Sequence, residues 1–249
     1  MGIYTYIDSV MLSKIRSTTE VGIYAAAANI IIALIFIPMM YGNAIYPVIS
    51  RFFISSKSSL KYAYERSFKY MLILGLPISA GVYILSDKII SIVYGSEYFA
   101  SVAVLSILSW YLFLRFLNVV SGFTLASINK QSSRVLSQGI AVLINIILNL
   151  IFIPKYGFIG AAIATVITEI AFFIIYMHFI TKYGLGVKLT RIFVKPIIAT
   201  AIMIFALSFI GNLFISIVLV IIVYVIALLA LGTIDKEDKI IFKKVMKNI

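Results

Sequence analysis

Cysteine is absent, histidine occurs once, and only nine of the 249 residues are acidic. No disulfide framework or thiolate metal site can be built from such a chain. A hydrolytic or metalloenzyme centre would have to be assembled from very few groups. A cleavable leader is not expected either, because the first apolar segment already holds Asp8 and lacks a basic start. Charge is missing over long distances: Val21 to Ser50, Val135 to Pro154 and Pro196 to Ile234 contain no charged residue. What fills those stretches is apolar, 63% of the whole chain with a mean hydropathy of +1.12. Soluble domains are only about half apolar. A run of about 20 residues at about 1.5 Å each crosses a hydrocarbon layer about 30 Å thick. The composition therefore defines an all-α, polytopic membrane protein.

The net charge of +12 does not indicate nucleic acid, since the basic residues sit in short segments between apolar spans. Membrane orientation explains that placement. Residues Ile3 to Leu12 are too few to span, and read as the remainder of a longer helix. Val21–Ser50 holds one long span containing Pro38, with Pro47 near its exit. The segment 51–69 carries Arg51, Lys57, Lys61, Arg66 and Lys69 with interleaved aromatics, and is expected as a basic amphipathic helix on the membrane surface. Tyr70–Tyr94 and Phe99–Asn129 give the next two spans. Val135–Pro154, a tight Pro154-Lys155-Tyr156-Gly157 turn, and Gly157–Ile180 make a hairpin of two more. Pro196–Ile234 is long enough for two spans folded at Gly211-Asn212, and 235–249 reads as an interfacial amphipathic tail. About seven full spans plus one truncated helix result, as a single bundle over 1–249. Most of the 21 basic residues fall on the side holding 51–69. The positive-inside rule makes that side, and the C-terminus, cytoplasmic.

Few residues can carry chemistry. Arg115 stands near the middle of its span, where an arginine is costly and faces a cavity or a partner. It is an anion contact, such as a substrate pyrophosphate, a structural ion pair with Glu169 or Asp8, or a side chain that snorkels to an interface. Glu169 lies about twelve residues into its helix, deep in the layer. It pairs with Arg115, acts as a protonatable coupling group, or simply hydrogen-bonds between helices. Asn145 and Asn149 are four apart and share a helix face. With Asp8 and Thr165 they offer oxygen ligands suited to a hard cation such as Na⁺, or else interhelical hydrogen bonds. Gly160, Ala161, Ala164 and Thr165 form a small-residue face for close helix approach. Clustered Asp or His near an interface, as a membrane-embedded transferase would need, does not occur, and no enzyme activity or cofactor is expected.

Four stretches carry a resemblance: Tyr6 to Leu12, Val21 to Ala27, Tyr46 to Arg51, and the run from Asn145 through Asn149, Pro154, Gly157 and Gly160 to Thr165. Together they resemble the polysaccharide-biosynthesis flippases of the Wzx type, which export O-antigen and teichoic-acid precursors. Their superfamily also contains lipid II flippases and multidrug extruders. The resemblance covers nearly the whole chain but only the C-terminal half of such a protein of twelve to fourteen helices. It implies translocation of polyprenyl-pyrophosphate-linked oligosaccharide across the cell membrane, with a separate N-terminal half or a second copy as partner beside the lipids. A cation-coupled drug extruder of the same fold, or a non-transporting membrane subunit, is the alternative. By the same resemblance, a Na⁺ site of the lipid II flippases maps onto Asp8, Asn145, Asn149, the Ala161 carbonyl and Thr165. Asn149 stands where those relatives have a second Asp. One carboxylate weakens cation binding, or leaves a proton or no ion as the coupler. Arg115 and Glu169 are the expected substrate contacts.

Overall fold

The computed structural model describes residues 2–187, 189–207 and 213–233. Among these, the regular elements are all helical: α1 (Gly2–Ile15), α2 (Thr18–Ser55), α3 (Lys57–Ile84), α4 (Ser86–Tyr94), a 3₁₀ turn (Ser96–Tyr98), α5 (Ser101–Ser127), α6 (Gln131–Lys182), α7 (Leu189–Leu207) and α8 (Leu213–Ala230). The chain divides into two compact units, Met1–Val187 and Lys188–Ile249.

In the first unit α2, α3, α5 and α6 are long and apolar enough to cross a bilayer. All five prolines of the chain lie inside helices, a placement that membrane helices tolerate when neighbours satisfy the freed carbonyls. Helix α5 is the centre of the unit and packs against α2, α3 and α6. Its residues 115–122 are buried on every side, as expected of a helix with no outward face. On α6 the pattern inverts that of a soluble protein: Leu143, Ile147, Leu150 and Ile151 are exposed while Asn145 and Asn149 are buried. Apolar side chains point to lipid and polar ones to protein.

Helix α6 is two spans joined at Gly157, whose φ of 56° and ψ of −135° reverse the chain. The Ser133 and Tyr183 hydroxyls lie 2.8 Å apart although 50 residues separate them. A straight helix would hold them about 75 Å apart. Close approach of the two arms needs Gly160, because a Cβ there would collide with the Phe152 carbonyl oxygen. The reversal is clamped from the α1–α2 connection. Arg16 donates from Nε to the Ile153 carbonyl at 3.2 Å and from Nη2 to the Pro154 carbonyl at 2.8 Å. The Phe158 N–H donates to Glu20 Oε2 at 3.1 Å. Orphan carbonyls ending one arm and an orphan donor starting the next are thereby satisfied. Ser17-Thr18-Thr19-Glu20 has the form of a capping box, and Ser17 Oγ accepts the Glu20 N–H at 3.3 Å. The Glu20 carboxylate reaches α6 instead of closing the box.

Gly157 is fixed twice over, by its positive φ and by the Glu20 carboxylate that occupies the space of a Cβ. Gly157→Ala is expected to lower stability by about 1–3 kcal/mol. Gly139→Ala, on the same helix with open space around it, should stabilise by about 0.4–1 kcal/mol. Denaturant unfolding of both variants in mild detergent checks the contrast.

Two expectations shift. The span placed at Tyr70–Tyr94 is divided at Leu85, whose N–H bonds to the Gly81 carbonyl at 2.9 Å, so that α3 crosses and α4 is a separate short helix. The basic segment 51–69 is not one surface helix but the end of α2 and the start of α3. Ser56 makes the break: its N–H closes α2 on the Phe52 carbonyl at 2.9 Å, and its hydroxyl accepts the Ser59 N–H at 3.3 Å to open α3. In the second unit α7 and α8 pack antiparallel, with Lys195 Nζ donating to the Gly232 carbonyl at 3.0 Å. The expected fold-back at Gly211-Asn212 and the tail 235–249 lie outside the described residues.

Candidate functional site: a carboxylate cluster and an ion pair one turn apart

Asp8 of α1 is buried, and the hairpin reversal brings both arms of α6 to it. On one side, Asn145 Nδ2 donates to Oδ1 at 3.1 Å and Asn149 Nδ2 at 2.6 Å. On the other, Thr165 Oγ1 lies 2.8 Å from Oδ2 and the Tyr24 hydroxyl donates to Oδ2 at 2.9 Å. Thr165 Oγ1 is also 2.9 Å from the Ala161 carbonyl and 3.3 Å from the Tyr24 oxygen. Asn149 Nδ2 reaches Asn145 Oδ1 at 3.0 Å. Of the five expected ligands, Asn145, Asn149 and Thr165 thus meet at the Asp8 carboxylate, and the Ala161 carbonyl is tied to them through Thr165 Oγ1. Tyr24 is a sixth member that spacing did not reveal.

The donor set fits a monovalent hard cation. It supplies one negative charge and several neutral oxygens, the preference of such ions. Asn149 Oδ1 is buried without a hydrogen-bond partner, and turning the amide over would aim that oxygen at Asp8. Two oxygens at the 2.6 Å separation now held by N–H···O require a cation or a proton between them. Beside Asp8 lies a cavity of about 30 Å³, bounded by Asp8, Tyr24, Thr165, Tyr111 and apolar side chains including Ala28 and Ile31.

The second cluster lies one helical turn away. Tyr111 and Arg115 are four apart on α5, as Thr165 and Glu169 are on α6, so each pair shares a face. Arg115 Nη1 and Glu169 Oε1 are 3.4 Å apart, with exposures of 10% and 0% at the side chains. A cation at that depth is therefore compensated in place, as an ion pair inside a bilayer must be. Asn118 donates from Nδ2 to Glu169 Oε1 at 2.8 Å and to the Glu169 carbonyl at 3.3 Å, while its Oδ1 is buried without a partner. Arg115 pairs with Glu169 rather than with Asp8. A cavity of about 20 Å³ adjoins the pair, walled by Arg115, Asn118, Arg134, Gln138 and Tyr176. Arg134 lies over the Phe123 ring, 5.5 Å from its centroid. Glycines make the room: a Cβ at Gly42 would strike the Phe123 ring, and one at Gly122 would sit 3.0 Å from the Tyr176 hydroxyl. Asn118 was findable, being three residues from Arg115 on one face.

Several apolar spans enclosing buried charged and amide groups define a multi-pass membrane protein with a polar interior. Residues 1–151 match the MatE family, and the chain belongs to it. It is 26% identical over 183 residues to the "Probable low-salt glycan biosynthesis flippase Agl15" of Haloferax volcanii, covering 72% of this chain and 38% of that protein. With the "Probable flippase AglR" of the same organism it shares 26% over 169 residues, 66% of this chain and 35% of the relative. The lipid II flippase MurJ in an inward closed conformation superimposes with a TM-score of 0.74 at 19% identity, over 96% of this chain and 52% of that one. The expected flippase-type fold is therefore the observed one. The chain spans about half that structure and less than two fifths of the two curated relatives.

Proposed function

We propose that this chain is one bundle of a flippase that carries a polyprenyl-pyrophosphate-linked oligosaccharide from the inner to the outer leaflet of the cell membrane, with its C-terminus in the cytoplasm. The observation that carries the proposal is Arg115: an arginine held inside the bundle by a carboxylate and bordering a small cavity that a second arginine also lines. A charged headgroup crosses hydrocarbon only if its hydration is replaced, and guanidinium groups replace it well for phosphate oxygens. No bond is made or broken, and the lipid tail stays in the membrane. Family membership and the named functions of the relatives support the assignment.

Arg115 and Glu169 act as a pair that substrate phosphate reopens, the anion taking the guanidinium from the carboxylate. The Asp8 cluster is the coupling site. Asp8, the turned-over amides of Asn145 and Asn149, the Ala161 carbonyl and Thr165 would hold Na⁺, which supplies the gradient energy. A proton on Asp8 is the other coupler the same group can take. Alternating access requires two bundles rocking about a shared site. The other is supplied by further sequence of the same protein, by a separate chain or by a second copy.

In a strain lacking its own glycan flippase, co-expression of this chain with the complementary bundle should restore surface glycan. Arg115→Ala, at matched membrane level, should reduce export at least about tenfold. Undiminished export by that variant would refute the role of Arg115. Restored efflux of organic cations without glycan export would favour the extruder.

A further inference from the structure

We infer that Lys130 and Arg134 form a loading path for the diphosphate of the lipid-linked substrate, along which the anion passes from the end of the bundle at the α5–α6 connection inward to Arg115. The inference rests on the flippase reading above and adds residues and an order of contact which that reading does not assign. Lys130, Arg134 and Gln138 follow one another at intervals of four, so they stand in a row on the first arm of α6. The Arg134 N–H bonds back to the Lys130 carbonyl at 3.2 Å, which makes the row continuous with the connection. Exposure falls along it. Lys130 is exposed, Arg134 and Gln138 are half-buried, and Arg115 keeps 8% of its surface. Arg134, Gln138 and Arg115 all border the cavity of about 20 Å³.

The two outer cations rest on aromatic rings. Lys130 Nζ lies 5.0 Å from the centroid of the Tyr183 ring, whose hydroxyl is held by Ser133 at 2.8 Å. Arg134 lies over the Phe123 ring, 5.5 Å from its centroid, and Tyr46 meets that ring edge-on at 6.4 Å. Among the described residues no carboxylate lies within ion-pair distance of Lys130 or Arg134. Basic residues that only orient a helix in the membrane stand in water. Arg134 is instead drawn between helices with its charge uncompensated, and an anion is the complement of such a group. A guanidinium makes charge-assisted, bidentate bonds to phosphate, stronger than its contact with a ring, so an arriving phosphate lifts Arg134 off Phe123. Phe123 and Arg115 are eight residues apart on α5, about 12 Å along its axis. Arg115 is thus about two turns deeper. Because both arginines reach the same small cavity, the anion passes from one to the other without an interval among apolar groups.

The test uses the purified chain in nanodiscs of zwitterionic lipid, with farnesyl diphosphate as the probe and empty nanodiscs as the reference. Surface plasmon resonance follows association and dissociation. Charges at the rim of a site set the association rate and its salt dependence, while buried partners set the dissociation rate. Wild-type association should therefore slow about tenfold between about 0.05 and 0.5 M NaCl. Arg134→Gln should lower the rate about tenfold at the lower salt and flatten that dependence, and Lys130→Gln should lower it about threefold. Arg134→Lys should restore most of the rate, because it keeps the charge. Arg115→Ala should act on dissociation instead. Should Arg134→Gln fail to fold, the wild-type salt dependence and Lys130→Gln, a change at an exposed position, decide the matter. Association as fast as wild type in both Arg134→Gln and Lys130→Gln overturns the loading path and leaves Arg115 as the phosphate contact. A wild type that does not bind farnesyl diphosphate overturns both.

Discussion

Glu169→Leu is expected to destabilise the folded bundle by about 3–5 kcal/mol, the cost of leaving a buried charge without its partner. Glu169 has no exposed surface, and its Oε1 serves both Arg115 at 3.4 Å and Asn118 at 2.8 Å. Removing it takes the carboxylate from a buried guanidinium and the shorter of two acceptors from the Asn118 amide at once. The double variant Arg115→Leu/Glu169→Leu should recover most of that loss, since replacing a buried pair by apolar groups of similar size is often neutral. Stability and transport then separate. If an anion reopens the pair as proposed, the double variant should fold like wild type yet move no substrate. Chemical denaturation and glycan export measured on the same three proteins check this. Full export by the double variant would reduce Arg115–Glu169 to a structural device.

How much of this was legible depends on whether the signal is local. Asn145 and Asn149 announce a shared face by their spacing of four, and the Gly160–Thr165 stripe announces close packing. A single carboxylate deep in a span points to a partner because hydrocarbon leaves no alternative. All of these are within one helix. Tyr24 is different. Among the apolar residues of α2 an aromatic side chain is ordinary lipid-facing or core material, and nothing nearby marks its hydroxyl. Its role appears only when α1, α2 and α6 converge, with Asp8 16 residues before it and Thr165 141 after.

In the sequence Arg16 and Glu20 stand in a short polar stretch between apolar runs, the usual place of solvated loop charges. Their partners, the carbonyls of Ile153 and Pro154 and the amide of Phe158, lie 137 or 138 residues away. No periodicity encodes such a distance. The breaks at Ser56 and Leu85 escaped for another reason. Neither has a glycine or proline at the break. Ser56 works through its hydroxyl as an N-cap. Leu85 works through backbone geometry alone, and the apolar run continues past the end of the helix.

The clamp gives the two clusters a common frame. Arg16 and Glu20 bind the α1–α2 connection to the tip of the α6 hairpin, while Asp8 ties α1 to both arms lower down. Anything that changes the Asp8 cluster therefore acts on a hairpin already held at its tip. Thr165 and Glu169, one turn apart on the same arm, would carry the change to Arg115.

Exchanging one oxygen-bearing group at this cluster should change how stability depends on cation. Asp8→Asn removes the only carboxylate, and its amide can accept from only part of the four donors that now converge on Asp8. Hydrogen bonds to a charged acceptor are worth about 1.5–3 kcal/mol each, so a loss of that order is expected, together with loss of any Na⁺ response. Asn149→Asp should do the opposite. It places a second carboxylate oxygen where the amide nitrogen sits 2.6 Å from Asp8 Oδ1, and two like charges so close cannot both persist unaided. Without Na⁺ the variant should melt below wild type, or hold a shared proton. With Na⁺ at about a hundred times its Kd it should regain about 2.7 kcal/mol. The rise in melting temperature from choline to sodium should thus be larger in Asn149→Asp than in wild type, and absent in Asp8→Asn. An equal rise in all three would mean that sodium acts elsewhere on the chain, and the convergence of α1 and α6 on Asp8 would be packing alone.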